Sequence, residues 1–122
     1  MHFEIPADDT ERAREFYTRA FGWGMNRVPE FEYTMITTTA SDELGMPKSP
    51  GAINGGLPKR GVGLEHPVIT IHVDSIEVSL KKVERLGGKI AAPKMPVGDM
   101  GYTAYFSDTE GNVVGLWQDA EM

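Results

Sequence analysis

The sequence predicts an α+β fold in which two βαβββ modules form a single domain. A set of residues recurs 66 positions along the chain: Ile5, Asp8, Glu11 and Gly22 are matched by Ile71, Asp74, Glu77 and Gly88. Each copy starts with a short strand, continues with an amphipathic helix that stops at glycine, and ends with more strands. The length of 122 residues suits one domain. We place module 1 at residues 1–57, module 2 at 67–118 and a Pro- and Gly-rich joint at 58–66.

The first module reads as one strand, one helix and three strands. Residues 2–6 alternate in polarity, so Phe3 and Ile5 are expected to pack under the helix that follows. Asp8 and Glu11 predict a capping box at the start of that helix. The predicted apolar helix face consists of Ala13, Phe16, Tyr17, Ala20 and Phe21. Strands are predicted at 23–28, 31–38 and 51–57, with a loop from 40 to 51.

The second module repeats this order. Its first strand, 67–73, should place Ile69, Ile71 and Val73 under the helix and Val68, Thr70 and His72 on the other face. Asp74 and Glu77 predict the second capping box, and the apolar helix stripe consists of Ile76, Leu80, Val83 and Leu86. Strands are predicted near 89–92, 102–107 and 112–118, the last two joined by a tight turn at 108–111. We expect the two curled sheets to form an incomplete barrel around a cleft.

Composition excludes several classes of function. The net charge is −6, from 12 basic and 18 acidic residues, which argues against binding to nucleic acid or to an anionic membrane surface. The chain has no cysteine, so disulfides, thiolate metal sites and cysteine nucleophiles are excluded together. The sequence shows no signal peptide and no membrane-spanning run, and we expect a cytoplasmic protein.

The chain resembles the vicinal oxygen chelate superfamily, which includes glyoxalase I, extradiol dioxygenases and bleomycin-resistance proteins. The matching segments span most of the chain: 2–8, 15–17 with 21–23, 51–57, 73–74 with 86–88, and 108–117. The nearest likeness is to small glyoxalase-related proteins of unassigned function. The resemblance implies the duplicated βαβββ fold and a homodimer. It implies no single activity, because this fold hosts several chemistries.

The resemblance also implies where a metal would bind. Metal-dependent members take one ligand from the first and one from the last strand of each half, two His and two Glu in the glyoxalase pattern. His2 matches the first position, but its counterpart 66 residues on is Val68, and the final position falls on Gly115. The remaining position lies near Asn54. A catalytic divalent site needs about three protein ligands, so we expect no metal and no other cofactor.

Five residues are candidates for contact with a small organic ligand: His2, Glu4, Asn54, His72 and Trp117. The two histidines titrate near neutrality and a carboxylate beside an imidazole could transfer protons. The Asn54 amide lies among glycines that would let a ligand approach the backbone, and an indole could form the wall of an apolar pocket. Each also has an ordinary structural explanation, and the sequence identifies no catalytic residue.

Three functions remain open at this point. The leading hypothesis is metal-independent binding of a small organic molecule by a glyoxalase-like homodimer, in a cleft lined by Asn54, His72 and Trp117. The second is a metal-dependent lyase, isomerase or dioxygenase of the superfamily with a reduced metal site. The third is a regulatory or interaction module whose cleft is vestigial.

Overall fold

The structure, a computed structural model, describes residues 1–28, 33–43, 46–61 and 64–120. The chain divides into two compact units, His2–Pro67 and Val68–Met122 together with Met1, which we call the N-terminal and the C-terminal unit. The start of the predicted strand 31–38, and parts of the predicted loop 40–51 and joint 58–66, lie outside the described residues. The module boundaries at 57 and 67 stay a prediction.

The N-terminal unit is a four-stranded sheet with one helix. Its elements are β1 His2–Glu4, α1 Thr10–Phe21, β2 Gly24–Val28, β3 Tyr33–Thr37 and β4 Gly55–Pro58. Within the unit the strands lie in the order β2-β3-β4-β1. The pairs β2/β3 and β3/β4 are antiparallel, whereas β4 and β1 are parallel. The unit therefore closes by pairing its first strand with its last.

The C-terminal unit has the same connectivity. Its elements are β5 Val68–His72, α2 Ile76–Arg85, β6 Lys89–Val97, β7 Gly101–Ser107 and β8 Val113–Asp119. The strands lie in the order β6-β7-β8-β5, with β8 and β5 parallel and the other two pairs antiparallel. The Asp108 carboxylate accepts the amides of Glu110 and Asn112 at 2.8 and 2.9 Å, which forms the predicted turn. The α+β class with two βαβββ modules is thus confirmed.

Both helices begin one residue later than the sequence predicted. Asp9 and Ser75 are the N-caps, since each has an extended backbone and a side-chain oxygen that accepts the amide three residues on. The predicted caps Asp8 and Asp74 were therefore wrong, and Asp8 instead pairs with Arg60 at 3.0 Å. Over the part of the chain that the structure describes, no helix is long and apolar enough to cross a membrane.

Each unit has its own core beneath its helix. In the C-terminal unit the buried residues are Ile76, Leu80, Ala104 and Leu116. In the N-terminal unit they are Ala7, Ile36 and Leu57, with Phe3, Ala13, Tyr17, Trp23 and Met25 packed against them. The predicted apolar face of α1 is wrong in part, because Phe16 and Phe21 are 60% and 63% exposed.

The residues of β5 lie on the faces that the sequence predicted, since Ile71 pairs with the core residue Leu116, but the predicted burial of these faces needs correction. Ile69 and Ile71 were expected under α2 but are 57% and 37% exposed, whereas Val68 and Thr70 are buried. The reason is that α2 lies over β6, β7 and β8, so of the three predicted residues Val73 packs against the core. Glu4, a candidate for ligand contact on β1, is likewise buried.

We predict that the two adjacent polar residues before α2 differ in their effect on stability. Ser75→Ala removes the acceptor for the Val78 amide and should lower the free energy of unfolding by about 1 kcal/mol. Asp74→Ala should change it by no more than about 0.5 kcal/mol, the range of exposed surface substitutions. Urea unfolding followed by circular dichroism measures both. Equal losses would show that the cap has been assigned to the wrong residue.

Candidate functional site

Two of the five candidate residues lie side by side in the C-terminal unit. His72 on β5 and Trp117 on β8 are register partners, and Trp117 is in turn the partner of Thr103 on β7. Directly opposed residues of neighbouring strands point to the same face of a sheet. This face is the one opposite α2, because Leu116 and Ala104, the neighbours of Trp117 and Thr103, belong to the core beneath the helix.

The indole of Trp117 is held in place at both ends. Its Nε1–H donates to Asp119 Oδ1 at 2.8 Å. Its six-membered ring lies against Gly101, where an added Cβ would be 2.7 Å from Cζ2. Because the ring is fixed and only partly buried, it offers a flat apolar surface whose polar atom is already satisfied.

The surroundings of His72 favour its neutral form. Partial burial lowers its pKa below the ordinary value of 6.5, the positive N-terminal ammonium lowers it further, and the Asp119 carboxylate opposes them. A neutral imidazole carries one donor and one acceptor nitrogen. The pair of His72 and Trp117 can therefore hold a planar, uncharged group that forms hydrogen bonds.

Close packing surrounds Gly115, two residues before Trp117 and on the same face. Its register partners are Thr70 and Tyr105, both buried. A Cβ placed on Gly115 would lie 2.7 Å from Thr70 Oγ1 and 3.2 Å from Tyr105 Cε1. The space that a metal-binding side chain would need at this position is occupied by the threonine and the tyrosine.

The N-terminal unit repeats this arrangement on β1 and β4. His2 and Glu4 share one face of β1, and Glu4 is the register partner of Gly56. Since Glu4 and Thr70 are 66 residues apart, Gly56 is the counterpart of Gly115. A Cβ on Gly56 would overlap the hydroxyl of Tyr33. The register therefore moves the family position that the sequence placed near Asn54 to a second glycine under a tyrosine.

Asn54 has its side-chain amide bonded within the N-terminal unit. Its Oδ1 accepts the Thr38 amide at 2.9 Å, and its Nδ2 donates to Ser41 Oγ at 2.7 Å. The Asn54 carbonyl also accepts the Phe3 amide at 3.4 Å. The residue thus ties the end of β3 and the loop after it to the start of β4 and to β1.

The residues present do not fit the metal site that the resemblance implies. Of the four positions, His2 has a donor atom, whereas Val68, Gly56 and Gly115 have none. Within the described ranges no three His, Cys, Asp or Glu side chains come together in a group that could hold a metal ion.

Sequence reasoning missed three residues of the C-terminal face: Thr103, Tyr105 and Asp119. Asp119 could have been found, because it lies two residues after Trp117 in a strand and so points the same way. Thr103 and Tyr105 could be assigned to this face only from the register of β7 with β8. The sequence predicts these strands as a hairpin but does not fix which residues are paired.

Comparison with known proteins identifies the family. A profile described as bleomycin resistance protein-like N-terminal matches residues 1–39. A glyoxylase-like domain-containing protein of Didymella fabae is 31% identical over 117 residues, which cover 89% of this chain and 84% of that protein. The chain belongs to the glyoxalase-like proteins of the vicinal oxygen chelate superfamily.

Other relatives of this glyoxalase-like protein are longer or more distant. The candidate glyoxylase CFP32 of Mycobacterium bovis is 32% identical over 120 residues, but the match covers 94% of this chain and 43% of CFP32. The chain thus spans less than half the length of that relative. A glyoxalase/bleomycin resistance protein/dioxygenase superfamily member from Vibrio splendidus shares the fold, with a TM-score of 0.60, 14% identity and coverage of 97% and 96%.

We predict that Asp119→Asn lowers the pKa of His72 further, since the carboxylate raises it and the amide oxygen of asparagine can still accept the Trp117 N–H. NMR titration of the His72 ring measures this shift, with Glu84→Gln on α2 as a control that should leave it unchanged. A folded-state pKa below 6.5 means that the His72 contribution to stability is present above pH 6.5 and is lost as the pH falls through the lowered value. An upward shift in the variant would contradict the assignment.

Gly115→Ala should lower the free energy of unfolding by about 1–3 kcal/mol, because the added methyl group overpacks the space between Thr70 and Tyr105. Gly61→Ala is the matched control, since a Cβ at Gly61 meets no atom of the described residues within 4 Å. Chemical denaturation of both variants measures the difference. A Gly115→Ala protein as stable as Gly61→Ala would mean that the space is open.

Proposed function

We propose that this glyoxalase-like protein binds a small organic molecule without a metal ion. The observation that carries the proposal is the filled space at the two glycines that take the place of metal ligands, Gly56 and Gly115. Tyr33 lies over the first, and Thr70 and Tyr105 lie over the second. With no ligand side chain at these two positions and their space filled, a small molecule would be held by other contacts.

The face around His72 and Trp117 supplies such a means. The fixed indole favours a planar apolar group, and the imidazole, whose pKa lies below its ordinary value, favours a hydrogen-bonding group over an anion. We infer a ligand class of uncharged or weakly polar ring compounds. We also expect the protein to be a homodimer, as the family resemblance implies.

The first experiment is native mass spectrometry of freshly purified protein together with elemental metal analysis. We expect a bound divalent metal content well below one equivalent per chain, a dimer mass, and an additional small-molecule mass. A stoichiometric metal that is lost in His2→Ala would contradict the proposal, because His2 is the remaining donor among the family positions.

The second experiment locates the ligand. His72→Ala should reduce retention of the small molecule about tenfold or more, whereas His66→Ala, at an exposed position outside this face, should leave it unchanged. Trp117→Phe keeps a flat ring and removes the indole N–H, so it should weaken binding less than His72→Ala. Equal effects of His66→Ala and His72→Ala would place the ligand elsewhere.

The alternative with most support is a metal-dependent lyase, because His2 is present and relatives carry glyoxylase names. This alternative predicts metal-dependent turnover of a methylglyoxal–thiol adduct that His2→Ala abolishes. Inertness toward such adducts and toward catechols, assayed with several divalent metals, would favour binding alone.

A further inference from the structure

Two polar residues of α1, Thr10 and Arg14, are the counterparts of two buried core residues of the C-terminal unit. Sixty-six residues after Thr10 and Arg14 stand Ile76 and Leu80, both buried beneath α2. The N-caps Asp9 and Ser75 are separated by the same interval, so these helix positions are equivalent. Where the C-terminal unit has two buried apolar side chains, the N-terminal unit therefore has the hydroxyl of Thr10 and the guanidinium of Arg14.

The sheet beneath α1 shows a third replacement of the same kind. Thr34 is the register partner of Leu57 on β4, as Ala104 is the partner of Leu116 on β8. Thr34 is 1% exposed. The Arg14 Nη1 donates to the hydroxyls of Thr10 and Thr34 at 3.3 Å each. Thus three of the four buried core residues of the C-terminal unit have polar counterparts in the N-terminal unit. These counterparts, Thr10, Arg14 and Thr34, are joined by hydrogen bonds.

This polar group borders an open cavity of about 440 Å³ between the start of α1 and the sheet. That volume is within the range of small-ligand sites, roughly 300–1,000 Å³. Placing a charged group at a core position is unfavourable unless other interactions compensate. A guanidinium bonded to two neutral hydroxyls keeps its full positive charge, which faces the cavity that it lines.

Two further cations line the same cavity, Arg27 on β2 and Lys59 just after β4. Among the described residues, neither takes part in an ion pair. In the C-terminal unit the corresponding cation is paired, since Lys94, in the bulge of β6 opposite Ala104, contacts Glu77 at 2.9 Å. Three positively charged side chains, those of Arg14, Arg27 and Lys59, thus line one cavity of the N-terminal unit.

Three carboxylates line the same cavity, those of Asp8, Asp9 and Glu11. Asp8 is paired with Arg60, and the Asp9 side chain accepts the Arg12 amide as the cap of α1, but both carboxylates keep their negative charge. Carboxylate oxygens accept hydrogen bonds and repel anions. The cavity therefore suits a ligand that combines an anionic group, which the cations bind, with hydroxyl donors, which the carboxylates accept.

We propose that this cavity is a second ligand site, independent of His72 and Trp117, which binds a small phosphomonoester with a hydroxyl-bearing remainder, such as a sugar phosphate. Arg14, Arg27 and Lys59 hold the phosphate dianion, for which the planar guanidinium forks and the ammonium are suitable donors. Asp8, Asp9 and Glu11 accept the hydroxyl groups.

The test uses isothermal titration calorimetry of the full chain with glucose 6-phosphate, and with glucose, inorganic phosphate and succinate for comparison. We expect glucose 6-phosphate to bind at least tenfold more tightly than the other three and more weakly at high salt. Arg27→Gln/Lys59→Gln should lower its affinity about a hundredfold. Arg85→Gln/Lys48→Gln, which removes the same charges at exposed positions outside the cavity, should change it less than threefold.

A second variant gives the N-terminal unit the core of the C-terminal unit: Thr10→Ile/Arg14→Leu/Thr34→Ala. It should stay folded and should lose glucose 6-phosphate binding while keeping the small molecule held near His72. Retained phosphate-ester binding in this variant or in Arg27→Gln/Lys59→Gln would overturn the proposal. Equal affinity for succinate would overturn the assignment to phosphomonoesters, and no binding at millimolar glucose 6-phosphate would overturn the site.

Discussion

The parallel pairing of the first strand with the last is the constraint on which each unit depends. Parallel strands cannot be joined by a tight turn, so the helix and two further strands must lie between them in the chain. Backbone hydrogen bonds fix the result: the Ile5 amide donates to the Gly56 carbonyl at 3.0 Å, and the Val73 amide donates to the Trp117 carbonyl at 2.8 Å. This pairing places Glu4 beside Gly56 and Thr70 beside Gly115, which decides what each sheet face can bind.

Most of the fold could be predicted from the sequence because local signals and the 66-residue repeat agree. The errors share one cause, which is that position within an element depends on tertiary packing. Asp8 and Asp9 are equally good caps by residue type, and only the backbone at Asp9 selects between them. Ile69 and Ile71 alternate like core residues, but α2 lies over the neighbouring strands. A periodic pattern shows that a face is apolar and does not show what covers it.

The candidate site was predicted less completely, since its residues come from strands distant in the sequence. Two of the implied metal-ligand positions, Val68 and Gly115, could be located by counting residues along the sequence. The fourth family position required the register of β1 with β4, which replaces the neighbourhood of Asn54 with Gly56. The polar cavity left no local signal, because Arg14 on a helix and Thr34 on a strand are unremarkable until the structure brings them within 3.3 Å.

The two units show how a duplicated architecture can tolerate different interiors. The C-terminal unit buries Ile76 and Leu80 on its helix, whereas α1 of the N-terminal unit has no buried residue. The N-terminal unit stabilises the other end of its helix instead, where the Tyr17 and Trp23 rings stack with centroids 5.2 Å apart at an interplanar angle of 7°. The apolar contacts of α1 thus lie toward its end, whereas polar residues occupy its start. Because the closing strand pair is the same in both units, the positions beneath the start of the helix can be polar without loss of the fold, while Ala7, Ile36 and Leu57 keep the rest of the core apolar.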